Sequence, residues 1–296
     1  MIMDSILFII NPIAGNGRAK SLISIIKSTM EENKKKYDIS ITHAPKEAIK
    51  IAKEGISKGH KIIVAVGGDG TINEVATGIM RGGKGILGII PGGTGNDLAR
   101  TLKIPENPRE ALRLILIGNS KKIDTCFVNN NLFLNIASIG LDSEVIKNIW
   151  EIRSRINGRI SYVIGFIRTL LSYKYKILEI EIDNMHLNEE VILAAIGNGK
   201  YYGGGMKICP SAIIEDGYFN VCVIRRINIV KLFLVFPSIF WGEHIKFRKY
   251  VNIYKGKEIK IKGLERLWLN IDGELKEIGE EASFTINNKG LNVVCE

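Results

Sequence analysis

Ile62-Ile63-Val64-Ala65-Val66-Gly67-Gly68-Asp69-Gly70-Thr71-Ile72-Asn73-Glu74 is the stretch that decides the fold. An unbroken apolar run of this length reads as a buried strand. A glycine turn follows, and then a segment of helical character. Strand, glycine turn and helix together aim backbone N–H groups at a phosphate. The succession recurs downstream, where Ile86 to Ile90 leads into Pro91-Gly92-Gly93-Thr94-Gly95-Asn96-Asp97. A third loop, Asn11-Pro12-Ile13-Ala14-Gly15-Asn16-Gly17, follows the apolar run Ser5 to Ile10. It presents small residues at the same carboxyl edge of a parallel sheet, where ligands bind.

Around these turns, strands alternate with helices. Helical periodicity covers Arg18 to Met30, with Leu22, Ile25, Ile26 and Met30 on one face. Tyr37 to Thr42 reads as a strand, and Pro45 to Lys58 as a helix with Ala48, Ile51, Ala52 and Ile56 inward. That alternation predicts an α/β domain, a parallel sheet with helices on both faces, over residues 1–125. From about Lys121 the pattern changes. Ile123 to Val128, Asn129-Asn130-Asn131 and Leu132 to Ala137 read as a hairpin. Period-two alternation then marks Leu178 to Asp183, Phe219 to Val223, Glu258 to Lys262, Leu267 to Ile271 and Ser283 to Ile286. Residues 126–296 are therefore expected to form a β-rich sandwich.

Composition narrows the function classes. The chain has 296 residues, 46% of them hydrophobic and 24% charged, as in a folded protein with a substantial core. Its net charge of +10 favours anionic partners such as nucleotides or an acidic membrane surface, or else reflects a lysine-rich surface. No nucleic-acid-binding signature accompanies the charge. Cys126, Cys209, Cys222 and Cys295 are scattered, which indicates neither a zinc site nor a disulfide framework and suggests a reducing cytosol. The amino terminus lacks a signal-peptide pattern. The most apolar run, Val230 to Trp241, is too short to span a bilayer.

The turns carry a coherent chemistry. Glycines let the backbone touch a ligand. Asp69 and Asp97 would repel phosphates, so they are read as ligands or organisers of Mg²⁺ that bridges phosphate oxygens. Thr71 and Thr94 supply hydroxyl donors, and Asn73 and Asn96 are expected to fix the turns at helix N-termini. No P-loop motif is present, and Gly83-Lys84-Gly85-Ile86-Leu87-Gly88 precedes a strand, so it is not a dinucleotide fingerprint.

The Asn11-Pro12 loop, Gly67-Gly68-Asp69-Gly70-Thr71-x-Asn73-Glu74 and the Pro91 to Asp97 turn resemble the bacterial diacylglycerol kinase and sphingosine kinase superfamily of soluble lipid kinases. Gly140-Leu141-Asp142, Asn198-Gly199 with Gly203-Gly204-Gly205, Pro210-x-Ala212, Asp216-Gly217 and Ile271-Asp272-Gly273-Glu274 extend the resemblance over nearly the whole chain. It implies ATP as phosphate donor, contacted by Asn11, Pro12, Gly15, Thr42, Gly67, Gly68, Asp69, Gly70, Thr71, Asn73, Glu74, Gly93, Thr94 and Asn96. It implies Glu274 as general base with Asp272 nearby, and Asp69 and Asp97 about the catalytic Mg²⁺. It also implies a structural Mg²⁺ held by the Asp216 side chain and the carbonyls of Ile213 and Tyr218. Ala14 departs from the serine or threonine common at its position.

The reaction implied is phosphorylation of a lipid hydroxyl, most simply diacylglycerol to phosphatidic acid. Phosphatidylglycerol, a sphingoid base, a nicotinamide nucleotide or a non-catalytic regulator are the alternatives. A lipid acceptor calls for peripheral membrane docking. Residues 153–176, with Arg153, Arg155, Arg159, Arg168, Lys174 and Lys176, read as a mostly helical basic amphipathic surface, as do the flanks of Val230 to Trp241. An edge strand of the second domain could pair two chains into a homodimer.

Overall fold

The computed structural model describes residues 5–153, 169, 173 and 175–295. Most of the basic 153–176 segment lies outside the described residues. The chain divides into two compact units. Residues 1–125, 203–205 and 288–296 form the first, and residues 126–202 and 206–287 the second.

The first unit contains β1 (Ile6–Ile10), α1 (Arg18–Ser21), α2 (Ile23–Glu32), β2 (Tyr37–Ile41), α3 (Glu47–Ser57), β3 (Ile62–Gly67), α4 (Asp69–Gly82), β4 (Ile86–Pro91), α5 (Asp97–Thr101) and α6 (Pro108–Ile117). β2, β1, β3 and β4 lie side by side in that order, all parallel. Register is set by burial: β1 and β3 are buried at every position, so a slip would move apolar residues out of the core. α3 and α4 pack closely because residue 78 of α4 is Gly; a Cβ there would come within 2.4 Å of the Ile49 carbonyl. The helix expected over Arg18 to Met30 is broken into α1 and α2 at Leu22, which is itself buried.

β5 (Ser120–Val128) begins in the first unit and ends in the second, which continues through β6 (Asn131–Phe133), β7 (Ile136–Gly140), α7 (Leu141–Arg153), β8 (Lys176–Ile182), β9 (Met185–Gly197), β10 (Phe219–Arg225), α8 (Ile229–Ser238), β11 (Val251–Gly256), β12 (Ile259–Ile271) and β13 (Glu274–Val294). β11, β10, β9, β7, β12 and β13 neighbour one another in that order, and β8 pairs with both β9 and β12. The pairing is antiparallel throughout. Leu178, Ile180 and Ile182 point inward while Glu179 lies outside, as period two requires.

Three features depart from the sequence reading. β9 was not anticipated, because its carboxyl half, from Val191 to Gly197, is buried on both faces and has no alternation to find. Ile196 and Val191 join one core, while Ile192 and Ala195 join another under α8. β10 divides similarly, with Val221 and Val223 in the first core and Cys222 and Ile224 in the second. The expected strand Leu132 to Ala137 is interrupted at Leu134-Asn135, separating β6 from β7. The last residues of β13 return to the first unit, where Asn292 and Val293 pair in parallel with Ile86 and Leu87 of β4.

Candidate active site

The three glycine loops of the first unit meet at the carboxyl ends of β1, β3 and β4. A Cβ on Gly93 would fall 2.3 Å from the Gly68 Cα, and one on Gly15 the same distance from the Gly92 carbonyl oxygen. Only glycine permits such approach, and Gly15 additionally has φ of 59°. The Gly92 N–H donates to the Gly67 carbonyl at 2.8 Å. Asn11 Nδ2 donates to Thr71 Oγ1 at 3.2 Å, joining the first loop to the first turn of α4. Thr42 is buried beside β1, where its hydroxyl donates to the Ile10 carbonyl at 3.4 Å. Pro12 occupies the turn just after β1, and Thr94 is exposed at the tip of its loop.

Several polar residues prove to be braces. Asn96 is left-handed, with φ of 52°. Its Oδ1 accepts the Gly93 N–H at 2.9 Å and its Nδ2 donates to the Gly93 carbonyl at 3.1 Å, so it fixes the turn as expected. Asn73 is not at a helix N-terminus: α4 begins at Asp69 with Gly68 as its N-cap, which places Asn73 within the helix. Glu74 accepts the Lys46 N–H at 2.9 Å and holds the loop ahead of α3. Asp69 Oδ1 accepts the Leu98 N–H at 3.1 Å, tying the start of α4 to α5.

The Asp97 carboxylate has three partners. Its oxygens accept the Gly204 and Gly205 N–H groups, both at 2.8 Å, and Arg100 Nη1 donates to Oδ1 at 2.9 Å. Burial pushes its carboxyl pKa up, against the opposing pull of these two N–H groups and the Arg100 charge. The Asp97 carboxylate thus anchors the Gly203–Gly205 segment and is already neutralised by a guanidinium.

In the second unit, two separate sequence motifs, the Asp272-Gly273 turn and the Asn198-Gly199 segment, converge on Leu134-Asn135-Ile136. Asp272 and Gly273 form the two-residue turn between β12 and β13, with φ of 47° and 92°. Asp272 Oδ2 accepts the Leu134 N–H at 2.7 Å, and Oδ1 accepts the Asn135 and Ile136 N–H groups, each at 3.0 Å. The Asn198 and Gly199 N–H groups both donate to the Asn135 carbonyl at 2.9 Å, and Asn198 Nδ2 donates to the Leu134 carbonyl at 2.8 Å. Asn135 Nδ2 also donates to the Tyr201 carbonyl. Asn270 accepts the Gly273 N–H at 2.9 Å and donates to Asp142 at 3.1 Å. Asp142, at the start of α7, takes a further hydrogen bond from Ser138.

Glu274 opens β13 at an exposed position, with its Oε2 3.6 Å from Lys276 Nζ. Asp272 therefore positions the segment on which Glu274 stands, and its oxygens are spent on backbone N–H groups. The Leu134–Ile136 hub itself carries no sequence signal, since most of its hydrogen bonds are made by main-chain atoms.

The Asp216 turn has the expected loop but an internal cation. Asp216 Oδ1 accepts the Tyr218 N–H at 3.0 Å, and Lys255 Nζ lies 2.7 Å from Oδ2. Lys255 also sits over the Tyr218 ring, 4.6 Å from its centroid. Among the described residues no group of three or more His, Cys, Asp or Glu side chains is disposed to hold a metal.

Residues 5–128 match the family model of the diacylglycerol kinase catalytic domain, and residues 135–294 match the YegS C-terminal NAD kinase beta sandwich-like domain. A diacylglycerol kinase of Staphylococcus aureus (strain bovine RF122 / ET3-1) is 32% identical over 267 residues, which cover 90% of this chain and 84% of the relative. This chain belongs to the diacylglycerol kinase family. The Staphylococcus carnosus (strain TM300) diacylglycerol kinase is 30% identical, covering 90% and 87%. A solved protein of Bacillus anthracis str. Sterne, provisionally named a diacylglycerol kinase, superposes with a TM-score of 0.79 at 27% identity, covering 99% and 97%. Membership makes this chain an enzyme of the lipid kinase class with the two-domain fold described above. No helix among the described residues is long and apolar enough to cross a membrane.

Proposed function

We propose that this chain transfers the γ-phosphate of ATP to the free hydroxyl of diacylglycerol, giving phosphatidic acid. The observation that carries the reading is the contact of the three glycine loops. Their backbones approach within distances that exclude any side chain. Such a concave, N–H-rich surface at the ends of parallel strands suits a nucleotide polyphosphate. The curated relatives' names supply the acceptor.

Phosphoryl transfer asks the protein to position the partners, offset charge and take up the hydroxyl proton. The Gly67–Thr71 and Pro91–Asn96 turns bind and orient the phosphates through backbone N–H groups and Thr94. Asn11 fixes Thr71, and Asp97 keeps residues 203–205 in place. Glu274 accepts the proton of the lipid hydroxyl, on a strand end braced by Asp272.

Magnesium fits one place and not two others. Asp69 stands at the phosphate-facing start of α4, where its Oδ1 also accepts the Leu98 N–H, and it would hold a nucleotide-borne Mg²⁺. Bound there, the ion would offset charge on the phosphate oxygens. Asp97 is committed to Arg100. The Asp216 turn already holds the Lys255 ammonium where a cation would go, so Ile213, Asp216 and Tyr218 do not fit a resident metal.

The test is transfer of radiolabelled γ-phosphate from ATP to diacylglycerol, phosphatidylglycerol, ceramide and a sphingoid base in anionic micelles, with NAD as soluble control. Label in diacylglycerol is expected, and label in NAD alone would overturn the reading. Glu274→Gln should lower turnover by about a thousandfold with ATP affinity unchanged. Full turnover in that variant would remove Glu274 as the base.

A further inference from the structure

α8 is apolar on both sides, and only one side is buried. Leu232 and Val235 point into the core shared with β9 and β10, and Ile239 follows them there. A helix in a solvated protein normally turns charged and polar residues to the other face. Here the other face carries Val230, Phe233 and Leu234, which are 67%, 58% and 69% exposed, and Trp241 just beyond the helix is 72% exposed. The spacing of Val230, Phe233 and Leu234 places them on one side of the helix. Contiguous exposed apolar surface of this kind marks a binding face.

The charge around it identifies the occupant. Lys231 lies on the same helix, and Lys246, Arg248 and Lys249 follow, all exposed. Glu243 is the single acidic residue between Ile229 and Tyr250, and it is already paired with Lys246. His244 adds no charge, because burial depresses its pKa. Apolar side chains ringed by an excess of cations complement a layer that is apolar inside and anionic at its surface. An indole exposed at the edge of such a face matches the preference of tryptophan for the headgroup level. An acidic protein partner would answer the charge but would leave Phe233, Leu234 and Trp241 without a matching apolar depth.

We propose that the outward face of α8 together with Trp241 inserts into an anionic phospholipid bilayer, with Lys231, Lys246, Arg248 and Lys249 binding its headgroups. The choice of a bilayer as occupant rests on the lipid kinase reading; the face itself does not.

The experiment is co-sedimentation of the full chain, without ATP, on vesicles of phosphatidylglycerol and phosphatidylcholine. Binding to the anionic vesicles, with little to pure phosphatidylcholine, is expected. Phe233→Ser/Leu234→Ser/Trp241→Ser should weaken vesicle affinity at least tenfold. Its circular dichroism should be unchanged, because these side chains are solvent-exposed. Lys246→Gln/Arg248→Gln/Lys249→Gln should weaken binding at low salt and flatten its salt dependence. Trp241 fluorescence, read against Trp241→Phe, should shift to the blue on binding. Undiminished sedimentation of the apolar triple variant would overturn the proposal. So would a wild-type dimer that becomes monomeric in that variant without any vesicle binding, since the face would then be covered by a second copy. Turnover of a dispersed short-chain diacylglycerol separates the two readings. If it is absent in the wild type while vesicles still bind, the kinase reading fails and the docking face stands.

Discussion

Replacing Asp272 by Asn is the sharpest probe of the second-unit site, because it changes charge while the left-handed backbone stays accessible. Asn tolerates φ of 47° as readily as Asp. The wild-type carboxylate accepts hydrogen bonds from Leu134, Asn135 and Ile136, all residues that are buried. An amide keeps one oxygen, which can retain the Asn135 and Ile136 pair. Its NH₂ group then faces the Leu134 N–H, donor against donor. Leaving that donor unmet costs about 1–3 kcal/mol, and each surviving bond loses its charge assistance, about 0.5–1 kcal/mol apiece. The sum is about 3 kcal/mol, or roughly a hundredfold in the population of the opened turn. Amide hydrogen exchange at Leu134, Asn135 and Ile136 reads this directly, and acceleration by about two decades is expected there. Turnover should fall with it, since Glu274 is the next residue but one, while ATP affinity holds. Exchange within a factor of about three of wild type would refute the bracing role of Asp272.

Gly93→Ala forces a Cβ to 2.3 Å from the Gly68 Cα, so the two phosphate turns must part. ATP affinity, measured by calorimetry, should drop about a hundredfold with the far-UV spectrum intact. Asp142 gives a pH signature. Desolvation of its carboxyl raises its pKa, so the folded state takes up the proton at higher pH than the unfolded chain does. Its contribution then favours folding below the unfolded value of about 3.9 and is lost as pH rises through the raised folded value. Asp142→Asn should therefore gain melting temperature relative to wild type from pH 4 upward, and a constant difference across pH would contradict this. Stripping divalent cations with EDTA should leave the melting temperature unchanged, because Lys255 holds the Asp216 turn. Lys255→Gln should make that temperature respond to Mg²⁺.

The sequence by itself determined the two-part architecture and the loops that matter. Glycine turns after buried apolar runs permit few geometries, so the strands before Gly67 and Pro91 and the helices after them were legible. So was the turn at Asp272-Gly273, where both residues need positive φ. What it could not show was where carboxylates spend their oxygens. Asp97, Asp272 and Asp216 read alike as functional acids. Only the tertiary structure gives Asp97 to Gly204 and Gly205, Asp272 to Leu134–Ile136 and Asp216 to Lys255. Those partners are backbone N–H groups or distant side chains, which have no local pattern. β9 was hidden for the opposite reason, since a strand buried on both faces loses its alternation. Val230 to Trp241 was visible as an apolar run, yet its exposure was not. Periodicity reports how apolar a face is, and only packing decides whether anything covers it.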